Sequence, residues 1–235
     1  MAIDSKKETG VETRRRLLDA AEALFAERGF ESVSLRDITL AADANVAAVN
    51  YHFRNRDGLV EEVMARYINP VNDERLARLD QLESRNGSKP LAIEEILEAL
   101  VRPFVTQVQR SEMSEKLFYR LMGRMFGDMA ETMPASVERG FREMLGRFRK
   151  AFRRALPEIS EAELWWRMHF SFGAMVHMMA HGELLQKFSD GASGNPSSDQ
   201  SMARFVHFTA AGMRHGIEES ESESTENDAQ AEFQF

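Results

Sequence analysis

The sequence has no cysteine among its 235 residues, so it can form neither disulfide bonds nor thiolate metal sites. No apolar run approaches the ~20 residues that a membrane-spanning helix needs, and we expect no membrane partner. The first sixteen residues, MAIDSKKETGVETRRR, lack the apolar core of a secretory signal. Together these features lead us to expect a soluble protein of the reducing cytoplasm.

Motifs of catalysis and of cofactor binding are also missing. The sequence has no nucleophile elbow and no phosphate-binding loop. His177 and His181 are four residues apart, but Met178 stands where the zinc-protease pattern needs Glu. We therefore predict a protein that is not an enzyme and holds no metal and no cofactor, with structural roles for both histidines.

Basic residues are absent from the end of the chain. After Arg214 there is no Lys or Arg, and six Glu and one Asp account for most of the net charge of -8. We predict that residues 218–235 form an acidic disordered tail. Residues 1–66 hold 10 basic and 12 acidic side chains. Any contact with nucleic acid must therefore come from the local placement of charges.

Helical periodicity runs through nearly the whole sequence, without the alternation typical of strands. We predict an all-α fold of about nine helices, with an N-terminal three-helix unit and a larger C-terminal helical unit. Residues 1–11 are predicted to be disordered, 12–66 to form the first unit and 67–217 the second. Gly29 should end the first helix, and the fourth should continue past Pro70 with a kink there.

The stretch SLRDITLAADANVAAVNYHF has the pattern of a helix-turn-helix. Ser34 and Asp37 form a capping-box pattern, and Asn45 can cap the second helix after a short turn. Val46, Val49 and Phe53 have the spacing of an inward face. The outward face would then end in three hydrogen-bonding side chains, Asn50, Tyr51 and His52.

Such a second helix can enter the major groove of DNA. Asn pairs well with adenine, whereas Tyr and His donate to phosphates. Ala47 and Ala48 are small enough for close approach, and Arg56 would meet a phosphate at the start of the next helix. A solvated surface helix in a helical bundle is the alternative that patterning leaves open.

The segment RRRLLDAAEALFAERGFESVSLRDITLAADANVAAVNYHFRNRDGLVEEV resembles the DNA-binding domain of the TetR family of transcriptional regulators. Asp43 stands where that family often has a turn glycine, Asn50 where it has tyrosine, and Arg56 where it has lysine. The resemblance implies contact with a double-stranded DNA operator by nine residues: Ser34, Arg36, Asn45, Ala47, Ala48, Asn50, Tyr51, His52 and Arg56.

Further segments, VNYHF, ELWWRMHFSFGAMVHMM and FTAAGMRHG, resemble the PsrA-type subgroup of that family. That resemblance implies a response to long-chain fatty acids.

Twelve of the fourteen methionines lie between Met113 and Met213, near most of the phenylalanines. Methionine adapts to irregular apolar shapes, so we expect a cavity for a small hydrophobic effector, although an ordinary core is the alternative. Arg102 or His169 could anchor a carboxylate head group. The expected lining residues are Phe104, Met122, Met125, Phe126, Met129, Phe141, Trp165, His169 and Phe172.

The eighth helix is apolar on two faces, so both should be buried. One face would look toward the cavity, and the other would meet a second copy of the chain in a homodimer. The reverse assignment stays open. The expected dimer residues are Trp166, Phe170, Gly173, His177, Ala180, Leu184, Phe205, Phe208 and Gly212.

The resulting prediction is a sequence-specific, homodimeric DNA-binding regulator that acts as a repressor on a pseudo-palindromic operator. A long-chain fatty acid or acyl-CoA would release it. The alternative is a TetR-type regulator of efflux or stress genes that responds to another hydrophobic or aromatic ligand.

Overall fold

The computed structural model of the chain describes residues 2–111, 113–127 and 133–215, without the side chains of residues 2–9, 127, 179, 180, 182 and 183. Across these ranges the chain is helical and contains no strand, which confirms the predicted all-α fold. The helices are α1 (Ala2–Arg28), α2 (Leu35–Ala41), α3 (Val46–Phe53), α4 (Arg56–Asn86), α5 (Ile93–Arg110), α6 (Glu115–Gly127), α7 (Ala135–Ala155), α8 (Glu161–Phe188) and α9 (Ser198–Arg214).

The first helix is longer than the sequence predicted. It begins at Ala2, so the structure has helix where we expected a disordered segment up to residue 11. Lys6, Lys7 and Glu8 are good helix formers, and Gly10 disfavours a helix by only ~1 kcal/mol relative to alanine. α1 ends as predicted, because Gly29 takes a left-handed conformation with φ of 88°.

The fourth helix continues past Pro70, as predicted, and reaches Asn86. Pro70 has no backbone N–H, so the helix lacks one hydrogen bond at that turn. A departure from helical geometry occurs within α8, where His181 has φ of -131° and ψ of 22°. In the sequence a glycine, Gly182, follows His181 directly.

The C-terminal unit is built from α5 to α9 and the second half of α4. α7 carries an apolar stripe in which Phe141, Phe148 and Phe152 are buried. None of the helices in the described ranges is long and apolar enough to span a bilayer.

Polar side chains join the two units at α1. Buried Glu22 of α1 accepts hydrogen bonds from the hydroxyl of Tyr67 at 2.7 Å and from Arg66 at 2.8 Å, both in α4. Arg124 of α6 donates to the backbone carbonyls of Ala26 and Glu27 at 3.3 and 3.2 Å, which are otherwise free at the end of α1. The first helix is therefore held by elements of both units.

Candidate nucleic-acid interface and effector cavity

The turn between α2 and α3 has the local structure that the sequence predicted. The Ser34 hydroxyl accepts from the Asp37 N–H at 3.2 Å, and the Asp37 carboxylate accepts from the Ser34 N–H at 2.9 Å. Asp43 has φ of 47°, so it takes the left-handed conformation that the turn requires. The Asn45 side chain accepts from the Ala48 N–H at 2.9 Å and caps α3.

α3 is fixed by its inward face. Val49 and Phe53 are buried, as predicted. The guanidinium of Arg14 lies 5.4 Å from the centre of the Phe53 ring and pairs with Glu62 at 2.7 Å. The prediction for Val46 was wrong, because this residue is exposed. Val46 is the first residue of α3, and at this end of the helix the neighbouring helices no longer cover the inward side.

The opposite face of α3 is open to solvent. Tyr51 has 83% of its surface exposed, and its ring packs edge-on against the His52 ring at 4.9 Å. Partial burial and the nearby charge of Arg14 lower the pKa of His52, which favours the neutral imidazole. Of the other predicted contacts, Ser34, Arg36, Asn45, Ala47 and Asn50 are exposed, and Ala48 is partly so.

Arg56 does not project freely from the start of α4, as the phosphate contact would require. Its Nε donates to the carbonyl of Val33 at 3.2 Å, and a second N–H donates to the carbonyl of Phe30. The side chain thereby ties the α1–α2 connection to α4. The sequence showed the charge and the helix start, but it could not show which carbonyl groups come within reach.

Sequence reasoning missed Arg54. This exposed residue follows α3 directly and has φ of 70°, an unusual backbone conformation for a residue other than glycine. The chain turns tightly here, because the Asn55 side chain caps α4 by accepting from the Gly58 N–H at 2.8 Å. A Cβ on Gly58 would lie 2.0 Å from the Phe53 carbonyl oxygen. The turn thus presents Arg54 beside the exposed end of α3.

The structure brings four of the expected cavity residues together. The Phe126 ring centre lies 5.9 Å from that of Phe104, 6.2 Å from Phe141 and 5.5 Å from Phe172. Met122 and Met125 are buried beside them in the core. Met129 lies outside the described residues.

Trp165 and His169 were wrongly assigned to the cavity, because both are exposed. The inward face of α8 carries instead Leu164, Met168 and Met175. The helix is apolar all around its circumference, so periodicity could not identify the side that faces the core. Arg102 is on the surface, where it pairs with Glu98 and Asp199.

A cavity of about 30 Å³ lies between α4, α5, α7, α8 and α9. Phe141 and Phe172 line it, and so does Arg75 of α4, which the sequence analysis did not single out. The other lining residues are Leu97, Leu100, Met144, Leu145, Phe148, Phe152, Met168, Ser171, Met175, Phe205 and Met213.

Most of the predicted dimer face is exposed in the single chain. Trp166 and Phe170 stack with ring centres 5.6 Å apart on α8, beside Phe208 on α9. Gly173, His177, Leu184 and Gly212 are also exposed. Phe205 was wrongly assigned, because it is buried and lines the cavity. The side chain of Ala180 is among those that the structure does not describe.

The rings of His177 and His181 stack with centres 5.0 Å apart. In the described part of the chain no group of three or more His, Cys, Asp or Glu is placed to hold a metal ion.

Two family models match the chain. The model described as bacterial regulatory proteins, tetR family, matches residues 17–63, which hold the helix-turn-helix. The model described as tetracyclin repressor-like, C-terminal domain, matches residues 98–212, and together the two cover more than half of the chain. The chain belongs to the TetR family. This confirms the family that the sequence analysis identified by resemblance.

Two bacterial regulators are similar to parts of this TetR-family chain. It is 35% identical over 57 residues to the probable HTH-type transcriptional regulator YttP of Bacillus subtilis, a match over 24% of this chain and 28% of YttP. It is 28% identical over 137 residues to the HTH-type transcriptional regulator AcrR of Shigella flexneri, covering 57% of this chain and 60% of AcrR. The match therefore spans less than two thirds of either relative.

The fold has a solved counterpart in PfmR, a TetR family transcriptional regulator of Thermus thermophilus. The TM-score is 0.57 at 15% identity, over 86% of this chain and all of PfmR. At that identity the likeness concerns the fold.

Proposed function

We propose that two copies of this chain bind a pseudo-palindromic operator, repress transcription there, and leave the DNA when a small hydrophobic effector binds. The proposal of DNA binding rests on the exposed face of α3, which follows the capped α2–α3 turn and is followed by Arg54. The centres of the two α3 helices would lie ~34–36 Å apart along the DNA, one turn of the double helix.

Base contacts would come from the exposed end of α3. Asn50 offers an amide that matches adenine, and Tyr51 offers a hydroxyl on a fully projecting ring. Ser34 and Asn45 use side-chain oxygens as helix caps, so their predicted DNA contacts would use their remaining hydrogen-bonding groups. Arg36 and Arg54 supply exposed charge for phosphates on either side, and Arg54 takes the role that we predicted for Arg56.

Dimerisation would use the exposed apolar face of α8 and α9. Trp166, Phe170 and Phe208 form a patch of large apolar side chains, which is typical of protein interfaces. At Gly173 and Gly212 an added Cβ would meet nothing within 4 Å, so a partner helix can approach closely. A dimer through this face would be twofold and self-complementary.

The effector would enter the cavity between α4, α7 and α8. Its 30 Å³ is far below the ~300–1,000 Å³ of ordinary ligand pockets, so binding must displace side chains. The methionines of the wall can move, because they are unbranched and adaptable. An acyl chain fits this apolar lining, and a long-chain fatty acid or acyl-CoA is the effector class that the resemblance to PsrA-type regulators implies. A different hydrophobic or aromatic ligand, in a regulator of efflux or stress genes, is the alternative.

Switching would act through α4. This helix contacts the cavity at Arg75 and reaches the turn after α3 at Arg56. An effector changes DNA affinity only if it binds the two states differently, and a coupling of ~1–3 kcal/mol corresponds to ~5- to 150-fold.

The test is fluorescence anisotropy with labelled duplexes tiled across the protein's own promoter, without and with oleate or its coenzyme A thioester. We expect tight, salt-sensitive binding to one near-palindromic tile and release by an acyl ligand. Binding that neither ligand changes would reject the acyl assignment and direct attention to other hydrophobic effectors. If the protein binds none of the promoter duplexes specifically, and none from further candidate operators, the result would contradict its proposed role as a DNA-binding regulator.

Substituting one arginine at a time distinguishes a direct phosphate contact from the general effect of the protein's charge on DNA binding. Arg54→Gln should weaken binding to all duplexes and reduce the salt slope by ~1.8, about 0.9 for each protomer of a dimer. Arg85→Gln is the matched control, because Arg85 is an exposed arginine at the far end of α4. Equal slopes for the two variants would contradict a phosphate contact at Arg54.

A further inference from the structure

The strongest unexplained feature of the protein is the buried arginine of α4. Arg75 is only 1% exposed. Its Nε donates to the Leu100 carbonyl at 2.7 Å and its Nη1 to the Asn72 side chain at 2.9 Å, both uncharged acceptors. Among the described residues no carboxylate pairs with it. Buried charges in proteins are normally paired with an opposite charge, and Arg75 departs from that rule within the described residues.

The other buried arginine of the C-terminal unit shows the usual arrangement. Arg167 of α8 pairs with Glu163 at 2.7 Å and donates to the Met213 carbonyl at 2.7 Å. That side chain is therefore a neutralised structural element. Arg75 is buried as well, but its hydrogen-bond acceptors are uncharged, whereas Arg167 pairs with a carboxylate.

Arg75 also has an unused donor. Its Nη2 is buried without a hydrogen-bond partner, and so is the amide nitrogen of Asn72. Arg75 lines the 30 Å³ cavity, and the Phe104 ring lies 4.4 Å from the guanidinium carbon. Because that ring covers one face of the guanidinium, an acceptor must approach in its plane, at the edge that holds Nη2.

The charge on this group persists at neutral pH. Burial lowers the pKa of Arg75 to about 9, which still leaves the guanidinium protonated at pH 7. An anion in the cavity would meet a full positive charge in a water-poor site, where charge-assisted hydrogen bonds are strong.

The walls around this charge are apolar. Methionine and phenylalanine side chains from α7, α8 and α9 face the cavity, and Arg75 is the one charged residue among the described residues that line it. One cation balances one negative charge. A phosphate-bearing ligand such as a coenzyme A thioester would bring several charges into a wall that has no further cation to receive them.

From this geometry we infer that Arg75 binds the carboxylate of an amphiphilic monoanion, a free acid whose apolar tail displaces the methionines of the cavity wall. The inference rests on the proposed function, because it names the chemical class of the effector. Both Arg75 and Asn72 belong to α4. The bound head group therefore acts directly on the helix that supports α3.

The test uses the purified full-length protein and three probes. Dodecanoate supplies a charge and a tail, dodecanol supplies the tail alone, and acetate supplies the charge alone. Isothermal titration should give at least tenfold tighter binding of dodecanoate than of dodecanol, because a hydrogen bond to a charged group favours binding by about that factor or more. Acetate at the same concentration should not bind measurably.

Arg75→Met removes the charge while keeping an apolar side chain of similar length. In this variant the preference for dodecanoate over dodecanol should vanish, while dodecanol binding persists. Circular dichroism and DNA binding check that the variant is folded. Arg102→Gln is the matched control, because Arg102 is a surface arginine already paired with Glu98 and Asp199. It should keep the wild-type preference.

Three results would overturn the inference. They are equal affinity of the wild type for dodecanoate and dodecanol, an undiminished preference in Arg75→Met, and acetate binding as tight as that of dodecanoate. DNA anisotropy distinguishes this failure from failure of the proposed function. A protein that binds its operator but not dodecanoate loses the head-group assignment alone, whereas dodecanoate binding without any operator leaves Arg75 as the anion site and removes the regulatory role.

Discussion

Replacing Gly58 by alanine should disturb the turn that orients α3 toward DNA. Gly58 lies in the first turn of α4, where alanine is ordinarily the better residue. Here, however, the added Cβ would lie 2.0 Å from the carbonyl oxygen of Phe53 and 3.2 Å from its carbonyl carbon. Both atoms belong to the backbone, so the contact can be relieved only if the α3–α4 turn opens.

The size of the effect follows from what that opening breaks. The Asn55 cap on the Gly58 N–H, now 2.8 Å long, would lengthen. Loss of a helix cap costs ~0.5–2 kcal/mol, and residual backbone strain costs ~1–3 kcal/mol. The better helix propensity of alanine returns ~0.5–1 kcal/mol. We expect a net loss of ~0.5–4.5 kcal/mol in the free energy of unfolding, or roughly 1–18 °C in the melting temperature at ~2–4 °C per kcal/mol for a chain of this size.

Urea denaturation measures this loss, and Gly140→Ala provides the control. Gly140 is also helical, in α7, but an added Cβ there would meet nothing within 4 Å. This variant should gain ~0.5–1 kcal/mol, so the two substitutions have opposite signs. Gly58→Ala should also weaken operator binding, because α3 moves relative to α4. A Gly58→Ala protein as stable as Gly140→Ala would refute the reasoning.

Two further predictions concern the core and the interface. Burial raises the pKa of Glu22, so the wild type should lose stability relative to Glu22→Gln as the pH rises from 4.5 through the folded-state pKa. Urea unfolding of both proteins at several pH values tests this, and parallel pH profiles would contradict it. Phe208→Glu places a charge on the exposed face of α9 and should give monomers in size-exclusion chromatography with light scattering. Val11→Glu, at an exposed apolar residue of α1, should leave the dimer intact, and a dimeric Phe208→Glu would count against this interface.

Local features of the fold could be predicted because neighbouring residues cause them. The Ser34 capping box, the left-handed Asp43 and the Asn45 cap each depend on a side chain and a backbone group a few residues apart. The buried stripe of α7 likewise depends only on spacing along one helix. Polar residues on the opposite side make that stripe unambiguous.

Other features depend on residues that are distant in sequence. Arg56 is held by carbonyl groups more than twenty residues earlier, so its charge and its place at a helix start could not predict this structural contact. α8 has apolar residues on all sides, and only its neighbours show that Trp165 faces outward while Met168 faces the core. Arg75 stands in a polar stretch of α4 whose composition is typical of a surface. Its burial appears only when α5, α7 and α8 enclose it.

The contact of Arg124 with the end of α1 has a consequence for how the chain is made. The carbonyls of Ala26 and Glu27 accept from a donor that lies 97 or 98 residues later in the sequence. At ~5–20 residues per second, a ribosome needs roughly 5–20 s to reach it. During that interval the nascent N-terminal unit lacks a contact that fixes its first helix. The N-terminal unit is translated before α6, and its first helix acquires this partner only after α6 has emerged and folded.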